Sequence, residues 1–306
     1  MINELHLMDN QKGIAKLADK SVNLIIADPP YYKIKGDFDF EFKDFQEYLN
    51  FMEEQAKLYK KVLADNGSLF IYGHSKNIAY VQIIFDKYFN LENNITIHII
   101  DRQTNKGVES FNCFAPVTER VLFYSNNYNT FSEEIRKGMF KYKIKESDFR
   151  KLKTSKNGNE TGWCSNIING KNIPTRDDWQ LINTLINSKF SYEELVRPFY
   201  NNKKLTDILK YSQEGHISKQ FDHDTIKPEK LTLDLIETTT KENDLVLIPF
   251  GGSGTECVCS MRLKRQWVAF ENKKKYFDIA LKRIHSEYEK TSLFNSLGGR
   301  QLQLSA

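Results

Sequence analysis

The sequence predicts an α/β protein built on a doubly wound, parallel-rich sheet, with a separate region inserted between the two halves of that sheet. Three observations carry this reading. Short apolar, β-leaning runs alternate with helical periodicity toward both ends of the 306-residue chain. The alternation stops between about residues 131 and 215, where the chain turns polar and rich in Asn and Lys. A hydrophobic share of 40% beside 27% charged residues and 13% aromatics is enough for a substantial core, and it excludes global disorder, collagen-like repeats and a coiled coil.

The elements follow in order. Asp9 falls a few residues into the first expected strand. Ser21 to Ala27 (SVNLIIA) reads as a buried strand stopped by Asp28-Pro29-Pro30, since proline cannot donate to a ladder. Over residues 43 to 64, Phe45, Tyr48, Leu49, Met52, Ala56, Tyr59, Val62 and Leu63 recur at three-to-four spacing, which predicts an amphipathic helix ended by Asn66-Gly67. Ser68 to Tyr72, Ile95 to Ile100 and Arg120 to Ser125 are further strand candidates. After the irregular region the pattern restarts with a helix after Pro228 and a strand over Asp244 to Pro249. A glycine-rich turn at Gly251 to Thr255, a helix to about Arg265, a strand over Gln266 to Phe270 and a helix from Lys273 to about Lys290 follow.

No window reaches the roughly 18 to 20 apolar residues of a membrane span, and the start MINELHLMDN lacks the features of a secretory signal. Cys113, Cys164, Cys257 and Cys259 form neither a disulfide framework nor a C-x-x-C metal pair. A reduced, cytoplasmic setting without a metal site is the expectation. With 44 Lys and Arg against 40 Asp and Glu the net charge is only +4, but its distribution is uneven. Between Arg136 and Lys156 nine basic and two acidic residues give +7, and Phe140, Tyr142 and Phe149 are interleaved with them. That mixture suits a surface meeting phosphates and bases, although a solvated face is the commoner origin of a basic run.

Three constellations could carry chemistry. At the end of its strand, Asp28-Pro29-Pro30-Tyr31 sets a carboxylate and N–H-free carbonyls beside an aromatic ring, an acceptor pair suited to an amino group with a flat face for stacking. Phe250-Gly251-Gly252-Ser253-Gly254-Thr255 follows a strand and opens a helix, so its backbone can approach a ligand closely; it matches neither the P-loop nor G-x-G-x-x-G. Glu271, at the end of the next strand, stands where a carboxylate could take ribose hydroxyls. In His223-Asp224-Thr225-Ile226-Lys227-Pro228, Thr225 and Lys227 could hold a carboxylate before a proline-opened helix.

Taken in order, these residues resemble the β-class DNA amino-methyltransferases, the circularly permuted S-adenosylmethionine-dependent enzymes of bacterial restriction-modification systems. The resemblance covers nearly the whole chain: Asp9, the DPPY motif at Asp28 to Tyr31, NGSLFIYG, a variable region, H-x-T-x-K-P at His223 to Pro228, the FGGSGT loop and Glu271. Two positions depart from the family pattern, Asp224 where proline is usual and Gly252 where another small or apolar residue is common.

The resemblance implies a permuted, Rossmann-like methyltransferase sheet with an inserted target-recognition region. Residues 1–130 would form the catalytic half, 131–215 the insert, 216–290 the cofactor-binding half and 291–306 a tail. It implies methyl transfer from S-adenosylmethionine to the N6 of a flipped adenine in duplex DNA, with Asp28, Pro29, Pro30 and Tyr31 catalytic. Asp9, Thr225, Lys227, Phe250, Gly251, Gly252, Ser253, Gly254, Thr255, Glu271 and Asn272 would bind the cofactor. Adenine is favoured over N4 of cytosine because cytosine-modifying relatives often carry serine in place of Asp28. An RNA methyltransferase and an inactive DNA-binding homologue are the remaining alternatives. A restriction endonuclease acting on the same site is an implied partner, and dimers are frequent in the class, which leaves a homodimer open. Lys141, Lys143, Lys145, Arg150 and Lys151 are the candidate DNA contacts; Trp163, Arg176, Trp179, Arg197 and Tyr200 are either base contacts or core, with core favoured for the tryptophans.

If the basic stretch meets phosphates, DNA affinity falls steeply with salt, and replacing several of Lys141, Lys143, Lys145, Arg150 and Lys151 flattens the plot of log affinity against log salt. A slope identical to that of the wild type would make the stretch plain surface.

Overall fold

The computed structural model describes residues 2–34, 41–99, 117–126, 130–153, 162–212 and 226–297. The chain divides into two compact units, one of residues 1–126 with 199–306 and the other of residues 127–198. Among the described residues of the first unit, eight strands form one sheet: β1 (Glu4–Leu7), β2 (Val22–Ala27), β3 (Leu63–Gly73), β4 (Phe89–Ile99), β5 (Thr118–Asn126), β6 (Ile208–Tyr211), β7 (Leu245–Ile248) and β8 (Gln266–Glu271). Their order is β1-β8-β7-β2-β3-β5-β4-β6. The five strands from β1 to β3 are parallel, β5 runs antiparallel to β3 and β4, and β6 is parallel to β4.

Period-two alternation decides which helices each strand meets. In β2, Ile25 and Ala27 join one apolar cluster while Leu24 and Ile26 join the other, on the opposite face. The first cluster is closed by α1 (Asn10–Ile14), α2 (Phe45–Val62) and α3 (Ile78–Phe85), through residues such as Tyr48, Met52, Tyr59 and Phe85. The second is closed by α9 (Glu229–Thr239), α10 (Thr255–Arg262) and α11 (Lys274–Leu297), through Leu231, Leu235, Cys257 and Ile284. Burial on both faces explains why β2 and β7 read as continuous apolar runs.

The sequence reading differs from the structure in several places. Asp9 is past β1; it caps α1, its side chain accepting from the Lys12 N–H at 3.1 Å. Helix α2, capped by Asp44, ends at Val62, and Asn66-Gly67 lies inside β3. There the pairing with β2 jumps from Val22↔Leu63 to Leu24↔Ser68, and Gly67 permits the irregularity because a Cβ would lie 2.6 Å from the Leu63 side chain. Strand β4 begins at Phe89, since its first half pairs with β5 rather than with a parallel neighbour. Strand β6, inside the span expected as insert, pairs with β4, and α11 continues to Leu297.

The second unit contains, among its described residues, α4 (Thr130–Tyr142), α5 (Glu146–Arg150), α6 (Ser165–Ile168), α7 (Arg176–Ile186) and α8 (Tyr192–Leu195). They enclose a core of their own that includes Phe131, Ile135, Phe149, Trp179, Ile182 and Leu195. Trp179 is buried edge-on against Phe131, and Trp163 packs against the same core. Among the described residues no helix is long and apolar enough to cross a membrane.

Gly254 caps α10 with φ +77°, and a Cβ there would meet the Ala280 backbone of α11 at 3.1 Å. Gly254→Ala therefore combines left-handed strain with overpacking, and an expected loss of roughly 2–4 kcal/mol is measurable by denaturant unfolding.

Candidate active site

The chain runs outward from β2 to β3 in one direction and from β7 to β8 in the other. The crevice beyond the carboxyl ends of β2 and β7 is therefore a topological switch point, where α/β sheets take ligands. A cavity of about 380 Å³ lies there, within the range of small-molecule sites. The segments following β1, β2, β7 and β8 all line it, bringing together Asp9, Asp28, Pro29, Pro30, Tyr31, Lys227, Phe250, Gly251, Gly252, Ser253, Glu271 and Asn272. Gly254 and Thr255 continue the loop as buried cap and first turn of α10. His223, Asp224 and Thr225 lie outside the described residues.

In the wall of the cavity a buried ammonium gathers several polar groups. Lys227, 6% exposed, places Nζ 3.3 Å from Asp28 Oδ2 and 2.9 Å from Glu119 Oε2, and donates to the Tyr31 hydroxyl at 3.2 Å. It also lies over the Tyr72 ring, 4.4 Å from the centroid. Burial alone pulls the ammonium down, but Asp28 and Glu119 outweigh it and carry its pKa above the ordinary lysine value. The Tyr31 hydroxyl donates in turn to Asp28, and burial followed by these carboxylates pushes the phenol well up. Lys227 is thus tied to the DPPY motif itself. Glu119 escaped the sequence reading, because TERVLFYS carries a strand signal and nothing that marks its second residue.

Glu271, also lining the cavity, is fixed by backbone donors. Its carboxylate accepts from the Gly252 N–H at 2.9 Å and the Lys273 N–H at 2.8 Å, while burial, opposed by these bonds, raises its pKa. A carboxylate oriented in this way suits vicinal hydroxyls. The loop is braced from below by Arg283 of α11, which is 4% exposed. Its Nη1 donates to Ser253 O at 2.9 Å, Ser253 Oγ at 3.1 Å and Thr255 Oγ1 at 2.9 Å, and its Nη2 reaches Glu229 at 2.8 Å. The sequence reading missed Arg283 too, since a helical arginine carries no sign of what it faces.

The basic candidates belong to the second unit and are exposed. Lys141 lies over the Tyr142 ring at 4.7 Å, Lys143 has φ +58°, and Lys145 caps α5. Arg150 pairs with Glu146 at 2.8 Å and Lys151 with Asp148 at 3.4 Å, so part of the charge is offset locally. Arg176 pairs with Glu193, and Tyr200, in the first unit, is exposed.

The sequence profile of the DNA methylase family matches residues 22–282. The chain is 25% identical over 300 residues to the type II methyltransferase M2.DpnII of Streptococcus pneumoniae, covering 92% of this chain and 89% of that one. It is 27% identical to the type II methyltransferase M.HinfI of Haemophilus influenzae, covering 92% and 68%. Among solved structures, TTHA0409 of Thermus thermophilus bound to S-adenosyl-L-methionine superposes with a TM-score of 0.53 at 16% identity, covering 93% of each chain. The cytosine-N4-specific PvuII DNA methyltransferase does so at 0.55 and 17%, covering 94% of this chain and 91% of that one. At these identities the structural likeness concerns the fold.

Lys227→Met would leave Asp28 and Glu119 facing one another without their shared cation. Breaking a buried pair in this way costs about 3–5 kcal/mol, which urea unfolding would register; a loss below about 1 kcal/mol would contradict the arrangement.

Proposed function

Because the chain belongs to the DNA methylase family, we propose that it is the modification methyltransferase of a type II restriction-modification system. It transfers a methyl group from S-adenosylmethionine to the exocyclic N6 of an adenine flipped out of duplex DNA. The observation that carries this reading is the meeting of Asp28-Pro29-Pro30-Tyr31 with the Phe250–Thr255 loop in one cavity at the switch point of the sheet. The cavity fits the donor: its volume suits a nucleoside-sized ligand, Glu271 presents an oriented carboxylate, and open space above Gly252 admits a close approach. Glu271 would take the ribose hydroxyls, with Asp9, Asn272 and the loop backbone around the nucleoside.

S-adenosylmethionine supplies an electrophilic methyl group; the chain supplies geometry. The Asp28 carboxylate and the Pro29 carbonyl accept from the target amine, turning its lone pair toward the methyl group, and Tyr31 offers its ring to the base. Lys227 holds Asp28 from behind, so that the acceptor is in place before the base arrives. With the donor bound, its methyl group would pass to the amine nitrogen as the S–C bond breaks, and the methylated amine would release one proton to solvent. Positioning of this kind can contribute roughly 7–11 kcal/mol, while flipping the base costs a few kcal/mol. The exposed basic residues of the second unit would contact phosphates, and an endonuclease acting on the same site would be the partner.

Asp28→Ala should abolish transfer of tritiated methyl to DNA while retaining S-adenosylmethionine binding by calorimetry. Digestion of methylated plasmid followed by mass spectrometry should yield N6-methyladenine. N4-methylcytosine would overturn the choice of base, and methylation of RNA in preference to DNA would overturn the substrate.

A further inference from the structure

Glu256 is the second residue of α10, 6% exposed, and its side chain lines the same cavity. Among the described residues no other residue donates a hydrogen bond to its carboxylate, which receives only its own backbone N–H. The charged and titratable groups around it are Asp28, Tyr72, Lys227, Arg283, Cys257 and Cys259. Both cations among these have other partners: Lys227 is held by Asp28, Glu119 and Tyr31, and Arg283 by Ser253, Thr255 and Glu229. A nearly buried carboxylate facing a ligand cavity without a cation of its own is an unusual expense. A cationic group on the ligand would offset it.

We propose that Glu256 is the receptor for the α-ammonium of the cofactor's amino-acid moiety, an assignment that rests on the methyltransferase reading above. The chemistry sets the place. If the sulfonium methyl faces the amine held by Asp28, the ammonium, joined to sulfur through a three-carbon chain, must lie near that end of the cavity. Glu256 lines the cavity close enough to Asp28 and Lys227 to feel both charges, while Glu271 is held by the Gly252 and Lys273 N–H groups.

Burial, with a smaller push from Asp28, raises the Glu256 carboxyl to about 7, against opposing pulls from its own N–H, Lys227 and Arg283. Without ligand it is therefore largely protonated below neutrality. A bound ammonium favours the ionised form, so binding below about pH 7 releases a proton and affinity rises with pH through that range.

Calorimetry with S-adenosylhomocysteine, which carries the ammonium but no sulfonium, tests this directly. The wild-type Kd should tighten about tenfold between pH 5.5 and 7.5. Glu256→Gln, which keeps the shape of the neutral acid, should bind about tenfold more weakly at pH 7.5 and show no such pH dependence. Methylthioadenosine, which lacks the amino-acid group, should bind both proteins equally. Wild-type affinity in Glu256→Gln, a persisting pH dependence, or an equal loss for methylthioadenosine would overturn the assignment alone. Failure of the wild-type chain to bind either compound would overturn the methyltransferase reading and this inference with it.

Discussion

The ammonium of Lys227 is the point through which the parts of the site hold one another. It is shared by Asp28 after β2 and Glu119 of β5, touches the Tyr31 hydroxyl and covers the Tyr72 ring of β3. An unpaired ammonium at 6% exposure would lose its proton or open the structure to water. The two carboxylates make the charged form the favoured one, and in return the lysine fixes their positions. The Asp28–Tyr31 segment is thus anchored through side chains from widely separated parts of the sequence, not by the stiffness of its own prolines alone.

A second network supports the Phe250–Thr255 loop. Arg283 joins Ser253 and Thr255 to Glu229, and Arg262 joins Glu229 to Glu287 at 2.6 and 2.8 Å. Glu229 opens α9 two residues after Lys227, so the loop and the lysine segment are tied to the same helix start. The loop can therefore keep its left-handed glycines, Gly252 and Gly254, without a ligand in place. Such preorganisation lowers the ordering cost of binding.

Much of the fold was legible in the sequence because its signals are local. The apolar run of β2, stopped by its prolines, and the three-to-four spacing of α2 depend on neighbours a few residues away, and both elements form near the expected places. The boundaries that moved have nonlocal causes. Asn66-Gly67 reads as a stop signal, yet Leu63 and Ser68 on either side of the pair both join β2, so the two residues fall at an irregularity inside β3. Ile208–Tyr211 sits in a polar stretch, and only β4 alongside makes it a strand. The acids were likewise half visible: Asp28 and Glu271 of the cavity occupy motif positions, whereas Glu256 beside them and Glu119, the second partner of Lys227, look like ordinary helix and strand residues.

By itself the sequence determined the kinds of chemistry present and their order, since a carboxylate with prolines after one strand and glycines after another are choices of residue type. What those groups face was decided by the tertiary structure alone. Lys227 stands 108 residues from Glu119 and 196 from Tyr31, and no periodicity encodes contacts at such separations. They exist because the carboxyl end of β2 and the amino end of the antiparallel β5 come to the same edge of the sheet, where burial turns distant charges into obligatory partners.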